Sequence, residues 1–176
     1  MPPEVAELLE KAKAPPMLRA HLALVHDAAV TLTECISALW PELEYDPEAV
    51  RMGAATHDIG KVVFPDEMTG PGRHHEAVGA GVLADCGFPE RFARFTRTHG
   101  RWRQEQDAPL EDLLVALADT LWKGERDDEL EDRCCRTIAR MCGLDPWRVS
   151  LRFYEMTEQV AEGAEERLAW QQEHKA

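Results

Sequence analysis

A short apolar stretch that ends in two metal-binding side chains constrains the fold of this chain more than any other feature. Residues 49–61 are mostly small and apolar, and they lead into His57 and Asp58 and then into Gly60 and Lys61. Apolar residues on nearly every side predict a helix that is buried all round. A buried carboxylate costs free energy unless it is paired or coordinates a metal. Asp58 therefore needs a cationic partner.

His57 and Asp58 together are suited to bind a metal ion. They are adjacent, and Gly60 predicts a helix end just after them, where two neighbouring side chains can converge on one ion. Imidazole and carboxylate ligands suit Zn, Mn or Fe(II). The alternative is a helix C-terminus with a capping histidine and an unrelated aspartate, because His-Asp pairs are common. Further candidate ligands along the chain favour the metal site.

The run His57-Asp58-Ile59-Gly60-Lys61 resembles the signature of the HD-domain metal-dependent phosphohydrolases, in the branch that continues Ile-Gly-Lys. The resemblance implies an all-helical fold. It also implies metal ligands in the order His, His-Asp, Asp. In members with two metals, it implies further histidines between the pair and the final Asp.

Composition agrees with a folded helical protein. The chain has 176 residues, of which 44% are hydrophobic and 30% charged, which fits one domain with a sizeable core. Valine and isoleucine are few, so little argues for strands. We therefore predict an all-α, single-domain HD-type helical bundle over residues 1–176. Its core is expected at about residues 17–123, with the C-terminal helices at 124–176 as an extension.

The charge and cysteine content restrict the partners and the compartment. The net charge of −13 repels a phosphate backbone, so general nucleic-acid binding is not expected. A small phosphorylated substrate is compatible, because a metal dominates its local field. We find no run that approaches a membrane span and no signal peptide, and we expect no membrane partner. Five cysteines without a C-x-x-C pattern favour reduced thiols in the cytoplasm, where Cys134, Cys135 and Cys142 offer packing or, alternatively, a zinc site.

The first metal ligand is predicted on a long amphipathic helix at about residues 17–39. At 100° per residue, His21 lies at the edge of its apolar stripe, His26 lies on the other flank, and Asp27 points toward solvent. His26-Asp27 is therefore a poor metal pair, although it is spelled like the signature. The spacing of His21, Val25 and Ala29 also resembles the first-ligand helix of the family. The alternative for His21 is a core-edge histidine.

The breaker-rich stretch at residues 62–72 is well placed to frame a substrate. Lys61 is a candidate catalytic and substrate-binding residue that meets a phosphate oxygen, and Asp66 and Glu67 are candidates to orient or deprotonate a water. The alternative is a solvated turn. The stretch resembles the two-metal cyclic-dinucleotide branch through Pro65-Asp66, but the later Gly-Tyr-Pro element is absent, which argues against that substrate.

Two further histidines are predicted to point inward from consecutive helices. His75 shares a helix face with Val78 and Gly79, and His99 shares one with Phe92 at the end of a helix from about residue 89 to 99. They suggest a second metal site or a phosphate contact, or else neutral histidines hydrogen-bonded in the core. We expect the neighbouring basic cluster to form a solvated face; it consists of Arg91, Arg94, Arg97, Arg101 and Arg103. Arg101 and Arg103 are kept as substrate candidates.

The last ligand is predicted to be Asp119. It is the only charged residue between Leu113 and Trp122, in a helix of about residues 107–123 that is apolar nearly all round. Such a carboxylate needs a cation, and Lys123 is the rival partner. Leu117-Ala118-Asp119-Thr120 also resembles the terminal motif of the family.

The remainder of the chain is predicted to be charged at first and then helical. Residues 125–133 are expected to be acidic and solvated. A helix through Cys134 to Cys142 is expected to end at Gly143. One long last helix is predicted from near Pro146 through Leu168, either packed on the outside or forming a homodimer.

These residues together favour a metal-dependent phosphohydrolase that acts on a nucleotide or another small phosphoester through a metal-activated water. The predicted ligands of one divalent ion (Mn, Fe, Zn, Ni, Co or Mg) are His21, His57, Asp58 and Asp119. His75 and His99 are predicted to hold a second ion, with Asp58 bridging. One alternative is a catalytically silent nucleotide sensor or scaffold. Two others are a di-iron oxygenase, which needs six ligands and two irons, and a structural helical domain.

Overall fold

Helices account for all the regular secondary structure in residues 1–174, which are the part of the chain that the computed structural model describes. This confirms the all-α prediction. Short 3-10 helices at Ile59–Val62 and Pro65–Met68 lie between the third and fourth α-helices. In chain order the α-helices are α1 (Pro3–Lys11), α2 (Pro16–Leu39), α3 (Pro47–Thr56), α4 (His74–Asp85), α5 (Glu90–Ala93), α6 (Phe95–Thr98), α7 (Leu110–Leu121), α8 (Asp128–Cys142), α9 (Pro146–Ala161) and α10 (Ala164–Glu173).

The centre of the fold is formed by α2, α3 and α7, which pack against one another. α3 is buried along almost its whole length, as its small apolar residues predict. Asp46 fixes its start, because the Asp46 side chain accepts a hydrogen bond from the Ala49 N–H at 2.9 Å and Pro47 occupies the first helical position. The last residue of α3 is Thr56, so His57 and Asp58 follow directly at its C-terminal end.

α2 corrects one expectation from the sequence. By length and composition it is apolar enough to cross a membrane, so the prediction that no run approaches a membrane span was wrong. A core helix passes the same test, and half of the apolar window of α2 is buried inside the protein. α2 also packs against α3, α7 and α9. The Arg19 side chain ties its start to the end of α1 by donating to the carbonyl oxygens of Leu9 and Ala14, at 2.9 Å each.

A close approach of backbones places α4 against the turn that follows α3. A Cβ atom added at Gly60 would lie 2.1 Å from the carbonyl oxygen of His75, and one added at Gly79 would lie 2.9 Å from Cβ of Thr96. Glycine is thus required sterically at residue 60, where the neighbouring atom belongs to a backbone that cannot rotate away. The contact sets the distance between Asp58 and His75.

The middle of the chain is more segmented than predicted. The helix expected at residues 89–99 consists of two short helices, α5 and α6, which meet at Arg94. The breaker-rich stretch at residues 62–72 contains the 3-10 helix Pro65–Met68. The Phe92 and Phe95 side chains are buried, which fixes the end of α6 and His99 against the core.

Two expectations for the C-terminal part were wrong. The acidic stretch at residues 125–133 is not wholly solvated, because α8 begins at Asp128 and Glu131 is buried against the Arg126 guanidinium at 2.6 Å. The single long last helix is divided into α9 and α10 at Gly163, which has a left-handed φ of 78°. The Arg167 side chain stabilises the break by donating to carbonyl oxygens at the end of α9 and to that of Trp122.

The buried face of α9 joins it to the rest of the protein. α9 packs against α8 and α2, and its inner side chains belong to the same buried apolar cluster as those of α2, α3 and α7. Cys134 and Cys135 are buried, and burial raises the pKa of the Cys134 thiol well above its ordinary value. The groups of potential metal ligands among the described residues contain neither thiol. These observations favour packing over the alternative zinc site. The division into a core at 17–123 and an extension remains a prediction.

We expect Gly60→Ala to lower the free energy of unfolding by about 3 kcal/mol and Tm by roughly 6 to 12 °C, because its Cβ would push α4 away from the turn. Gly81→Ala on α4 is the matched control, since nothing lies within 4 Å of the Cβ atom that it would add. Its stability should rise by at most about 1 kcal/mol. Thermal and denaturant unfolding of both variants measures the difference. Equal stability of the two would contradict the close approach.

Candidate metal centre

Four side chains from three helices converge at the C-terminal end of α3. His21 lies on α2, His57 caps α3, Asp58 follows it, and Asp119 lies on α7. His21 Nε2 is 3.3 Å from His57 Nε2, 3.2 Å from Asp58 Oδ2 and 3.5 Å from Asp119 Oδ1. His57 Nε2 is 3.5 Å from Asp58 Oδ2 and 3.6 Å from Asp119 Oδ1. The structure thus brings together the four residues predicted to hold the first ion.

Asp58 also reaches the two additional histidines. While its Oδ2 faces His21 and His57, its Oδ1 lies 3.1 Å from His75 Nε2 and 3.6 Å from His99 Nε2. The carboxylate therefore stands between two groups of nitrogen donors, one on each oxygen. The Lys61 ammonium donates to Oδ2 at 2.5 Å, from a side chain that is 16% exposed.

Backbone carbonyls fix the orientation of two of the imidazole rings. His57 Nδ1 lies 2.9 Å from the carbonyl oxygen of Ala54, and His99 Nδ1 lies 2.9 Å from that of Phe95. A carbonyl only accepts, so Nδ1 of each ring carries the hydrogen. In the neutral ring this leaves the lone pair on Nε2, which faces Asp58.

Glu67 orients the third ring and the start of α4. Its Oε2 accepts from His75 Nδ1 at 2.6 Å and from the His75 N–H at 3.1 Å, and its Oε1 accepts from the N–H and Nδ1 of His74. Burial acts to raise the pKa of Glu67, but these hydrogen bonds outweigh it and lower the pKa to about 2. The ionised carboxylate directs Nε2 of His75 toward Asp58. The sequence had indicated Glu67 only as a candidate to orient a water.

The charges inside the centre favour ionised carboxylates. Burial would raise the pKa of Asp58 and of Asp119, but the neighbouring imidazoles hold both pKa values below their ordinary range. Burial would also lower the pKa of His57, yet the Asp58 and Asp119 carboxylates raise it overall. Burial lowers the pKa of His99, and the adjacent His57 adds to the effect. The buried negative charge therefore depends on cations close to it.

The donor set fits a divalent cation. Asp58 Oδ1 and His75 Nε2 are buried and have no hydrogen-bond partner of acceptable geometry among the described residues. The converging donors are 3.1–3.6 Å apart, close to the ~3.0–3.4 Å that separates ligands around an ion held at about 2.1 Å. Two groups within this set have suitable spacing, namely His21, His57 and Asp119, and His57, Asp58 and His99. Nitrogen and carboxylate ligands together suit Zn, Mn, Fe, Ni or Co.

Three polar residues considered from the sequence lie outside this set. His26 binds the exposed Asp27 at 3.2 Å instead, in agreement with the helical wheel. Asp66 is exposed, on the 3-10 helix that carries Glu67. Arg101 is half-exposed, and its Nε donates to the buried Glu76 at 3.0 Å. Glu76 follows His75 on α4, and Arg101 lies in the turn after His99. This ion pair therefore connects α4 to the turn that follows His99.

The basic cluster is engaged with carboxylates rather than free. Each of its five arginines forms at least one ion pair: Arg91 with Asp46 and Glu48, Arg94 with Glu111 and Asp112, Arg97 with Glu90, Arg101 with Glu76, and Arg103 with Asp127 and Glu129. Lys61 is thus the cationic side chain that the structure places directly at the centre.

Comparison with known proteins identifies the family. The model of the HD domain matches residues 21–122, a range that begins at His21 and ends three residues after Asp119. The chain belongs to the HD-domain family. It is also 32% identical over 103 residues to an uncharacterized protein of Methanocaldococcus jannaschii, a match that covers 51% of this chain and 57% of that protein. No solved structure matches the chain.

The HD-domain family includes metal-dependent phosphohydrolases, and its members bind divalent metals. The match ends at residue 122, so α8, α9 and α10 lie outside it. The relative carries no named activity, and the substrate has to be argued from the chemistry of the site.

We expect Glu67→Gln to weaken metal binding by about 10-fold to 100-fold, because an amide has one acceptor oxygen and cannot accept from His75 and His74 on separate oxygens as the carboxylate does, so the ring is held less firmly. The adjacent Asp66→Asn is the matched control, and its metal affinity should equal that of the native protein. Metal content after dialysis against buffered free metal, measured by mass spectrometry, checks both variants. Native metal affinity in Glu67→Gln would show that Glu67 does not position the ring.

Proposed function

We propose that this HD-domain protein is a metal-dependent phosphohydrolase that acts on a nucleotide or another small phosphoester. The observation that carries the proposal is the position of Asp58, with one carboxylate oxygen facing His21 and His57 and the other facing His75 and His99. If two divalent ions bind, His21, His57 and Asp119 would hold one, His75 and His99 would hold the other, and Asp58 would offer an oxygen to each. Asp119 completes the donor set on the first side.

The chain's own groups would hold the cations and keep the ligand atoms deprotonated. His57 and His99 offer Nε2 because backbone carbonyls retain the hydrogen on Nδ1, and Glu67 does the same for His75. When bound, a divalent ion supplies a Lewis acid that lowers the pKa of water and offsets negative charge on a phosphoryl group. The low pKa of Asp58 and of Asp119 keeps both carboxylates ionised at neutral pH.

Lys61 supports an anionic substrate. Its ammonium group lies 2.5 Å from the bridging carboxylate, in a chain with a net charge of −13. A phosphoryl oxygen that approaches Asp58 would meet this positive charge. The attraction between them would strengthen as negative charge develops in the transition state. Asp66 and Arg101 remain predicted substrate contacts. Arg101 binds Glu76 through Nε, and its side chain is half-exposed.

The same observations are compatible with two other functions, a di-iron oxygenase and a nucleotide-binding sensor. Six potential ligands, the number required of a di-iron oxygenase, surround the centre. A nucleotide-binding sensor would retain the same residues without turnover. We favour hydrolysis because Lys61 adds a cation that suits a phosphoester. We further propose a small phosphorylated substrate as the partner, a cytoplasmic location, and neither membrane nor general nucleic-acid binding.

Asp58→Asn is expected to abolish turnover and to lower bound metal, because the amide has only one oxygen and cannot bridge the two groups. Asp27→Asn is the matched control, since it alters the second His-Asp pair of the chain, outside the centre. It should retain native activity and metal content. Turnover of generic phosphoesters and metal analysis measure both variants. Full activity of Asp58→Asn would end the hydrolase proposal.

We expect Lys61→Met to lower kcat by about 100-fold while metal content stays native, because the substitution removes a charge that acts on the transition state. Steady-state kinetics on the best phosphoester and metal analysis of the same preparation provide the test. A native kcat would remove Lys61 from the catalytic machinery.

A panel of conditions separates the alternatives. The purified protein is loaded with Mn, Fe, Zn, Ni, Co or Mg and assayed on nucleotides and generic phosphoesters, with oxygen uptake followed in the iron samples. Phosphate release with any metal supports the proposal. Oxygen uptake without phosphate release would favour the oxygenase. A metal-loaded protein that is inert on every substrate but thermally stabilised by a nucleotide would favour the sensor.

A further inference from the structure

The outer face of α9 carries large apolar side chains that are mostly exposed, although the Arg126 guanidinium lies over the Tyr154 ring at 4.8 Å. Trp147, Leu151 and Tyr154 are 65%, 58% and 58% exposed, and Leu144, just before the helix, is 40% exposed. Single exposed apolar residues are ordinary, but a contiguous apolar stripe marks an interaction site. The inner face of α9 already packs against α8 and α2. The outer face is therefore a second, separate apolar surface.

The spacing of this stripe is that of a helix-pairing seam. Within α9, Trp147, Leu151 and Tyr154 are separated by four and three residues, which matches consecutive d, a and d positions of a heptad. A helix that presents such a seam buries it best against another helix with the same repeat. The occupant expected from the spacing is thus a helix.

The charges beside the seam identify which helix fits. Arg148 and Glu155 are both exposed and occupy successive e positions, next to Trp147 and Tyr154 respectively. In an antiparallel pair of identical helices, e positions face e positions. With the twofold axis beside Leu151, Arg148 would meet the partner's Glu155, and symmetry would repeat the contact. A parallel pair would instead align like-charged ends.

The apolar seam and the charges are compatible with one axis. In antiparallel helices an a position faces a d position, so Leu151 would face the partner's Tyr154, with the axis between positions 152 and 153. Residues 148 and 155 are centred between positions 151 and 152. One twofold axis therefore satisfies both sets within a single residue. Glu155 also lies 3.5 Å from Arg152 in its own chain, but both side chains are mostly exposed, so this pair is weak and free to exchange.

We propose that the outer face of α9 binds α9 of a second copy of this chain in antiparallel orientation, forming a twofold dimer. Along this face the basic Arg148 precedes the acidic Glu155. A second copy that runs in the opposite direction therefore places its acidic residue opposite the basic one. Since each copy has a net charge of −13, local pairing of opposite charges is what permits two such chains to approach. The dimer surface lies outside residues 21–122 and does not rest on the proposed function.

Charge reversal and its rescue test the proposal. Sedimentation equilibrium of the full chain should show a dimer of twice 19.9 kDa. Arg148→Glu and Glu155→Arg should each weaken the dimer by about tenfold, because each substitution alters two symmetric ion pairs. The double variant Arg148→Glu with Glu155→Arg restores opposite charges across the axis and should regain native affinity. Arg136→Glu, an equal charge change on α8, is the control and should leave the dimer unchanged.

Several results would overturn the proposal. A native chain that stays monomeric at high concentration would exclude a self-interface and leave the surface to a different partner. A dimer that Arg148→Glu leaves intact would place the contact elsewhere on the molecule. A double variant as weak as the single ones would exclude the antiparallel pairing. Circular dichroism of each variant shows that the helices are retained, so that dissociation is not a consequence of unfolding.

Discussion

The structure depends on a carboxylate held inside a cluster of imidazoles. Asp58 is almost wholly buried, and burial of an ionised group is among the most costly events in folding. The Lys61 ammonium offsets part of this cost, and a cation held by the imidazole nitrogens within 3.6 Å of both oxygens would offset the rest. This environment is formed by residues of α2, α3, α4 and α7 and of the turn after α6. The packing of these elements therefore also determines the chemistry of the site.

Small residues are what allow these elements to meet. Gly60 and Gly79 remove the side chains that would otherwise separate the turn after α3 from α4, and α4 from α6. On one side of His75, Glu67 binds the ring and the first backbone amides of α4. On the other side, Glu76 binds Arg101 beyond the turn that carries His99. Two carboxylates thus hold both additional histidines in place.

In this acidic chain, positively charged side chains are used differently around the metal centre and on α9. Around the centre, the arginines form ion pairs with other carboxylates, both exposed and buried, which leaves Lys61 as the cation nearest Asp58. At the C-terminal end, α9 separates its charges along the helix, with Arg148 near one end of an apolar seam and Glu155 near the other. Both features arise because a strongly negative chain must position its few positive groups carefully.

The sequence by itself determined the helical class, the choice of His21 over His26, and the inward direction of His75, because these follow from the 3.6-residue period of a helix. It also identified Asp119 as a lone charge in an apolar helix. Only the tertiary structure decided the distances that join Asp58 to the two donor groups, that Glu67 orients His75 rather than a water, and that Gly163 divides the last helix. Periodicity reports which face a residue occupies along its own helix, but it carries no information on how far apart two helices pack or where a backbone adopts a positive φ.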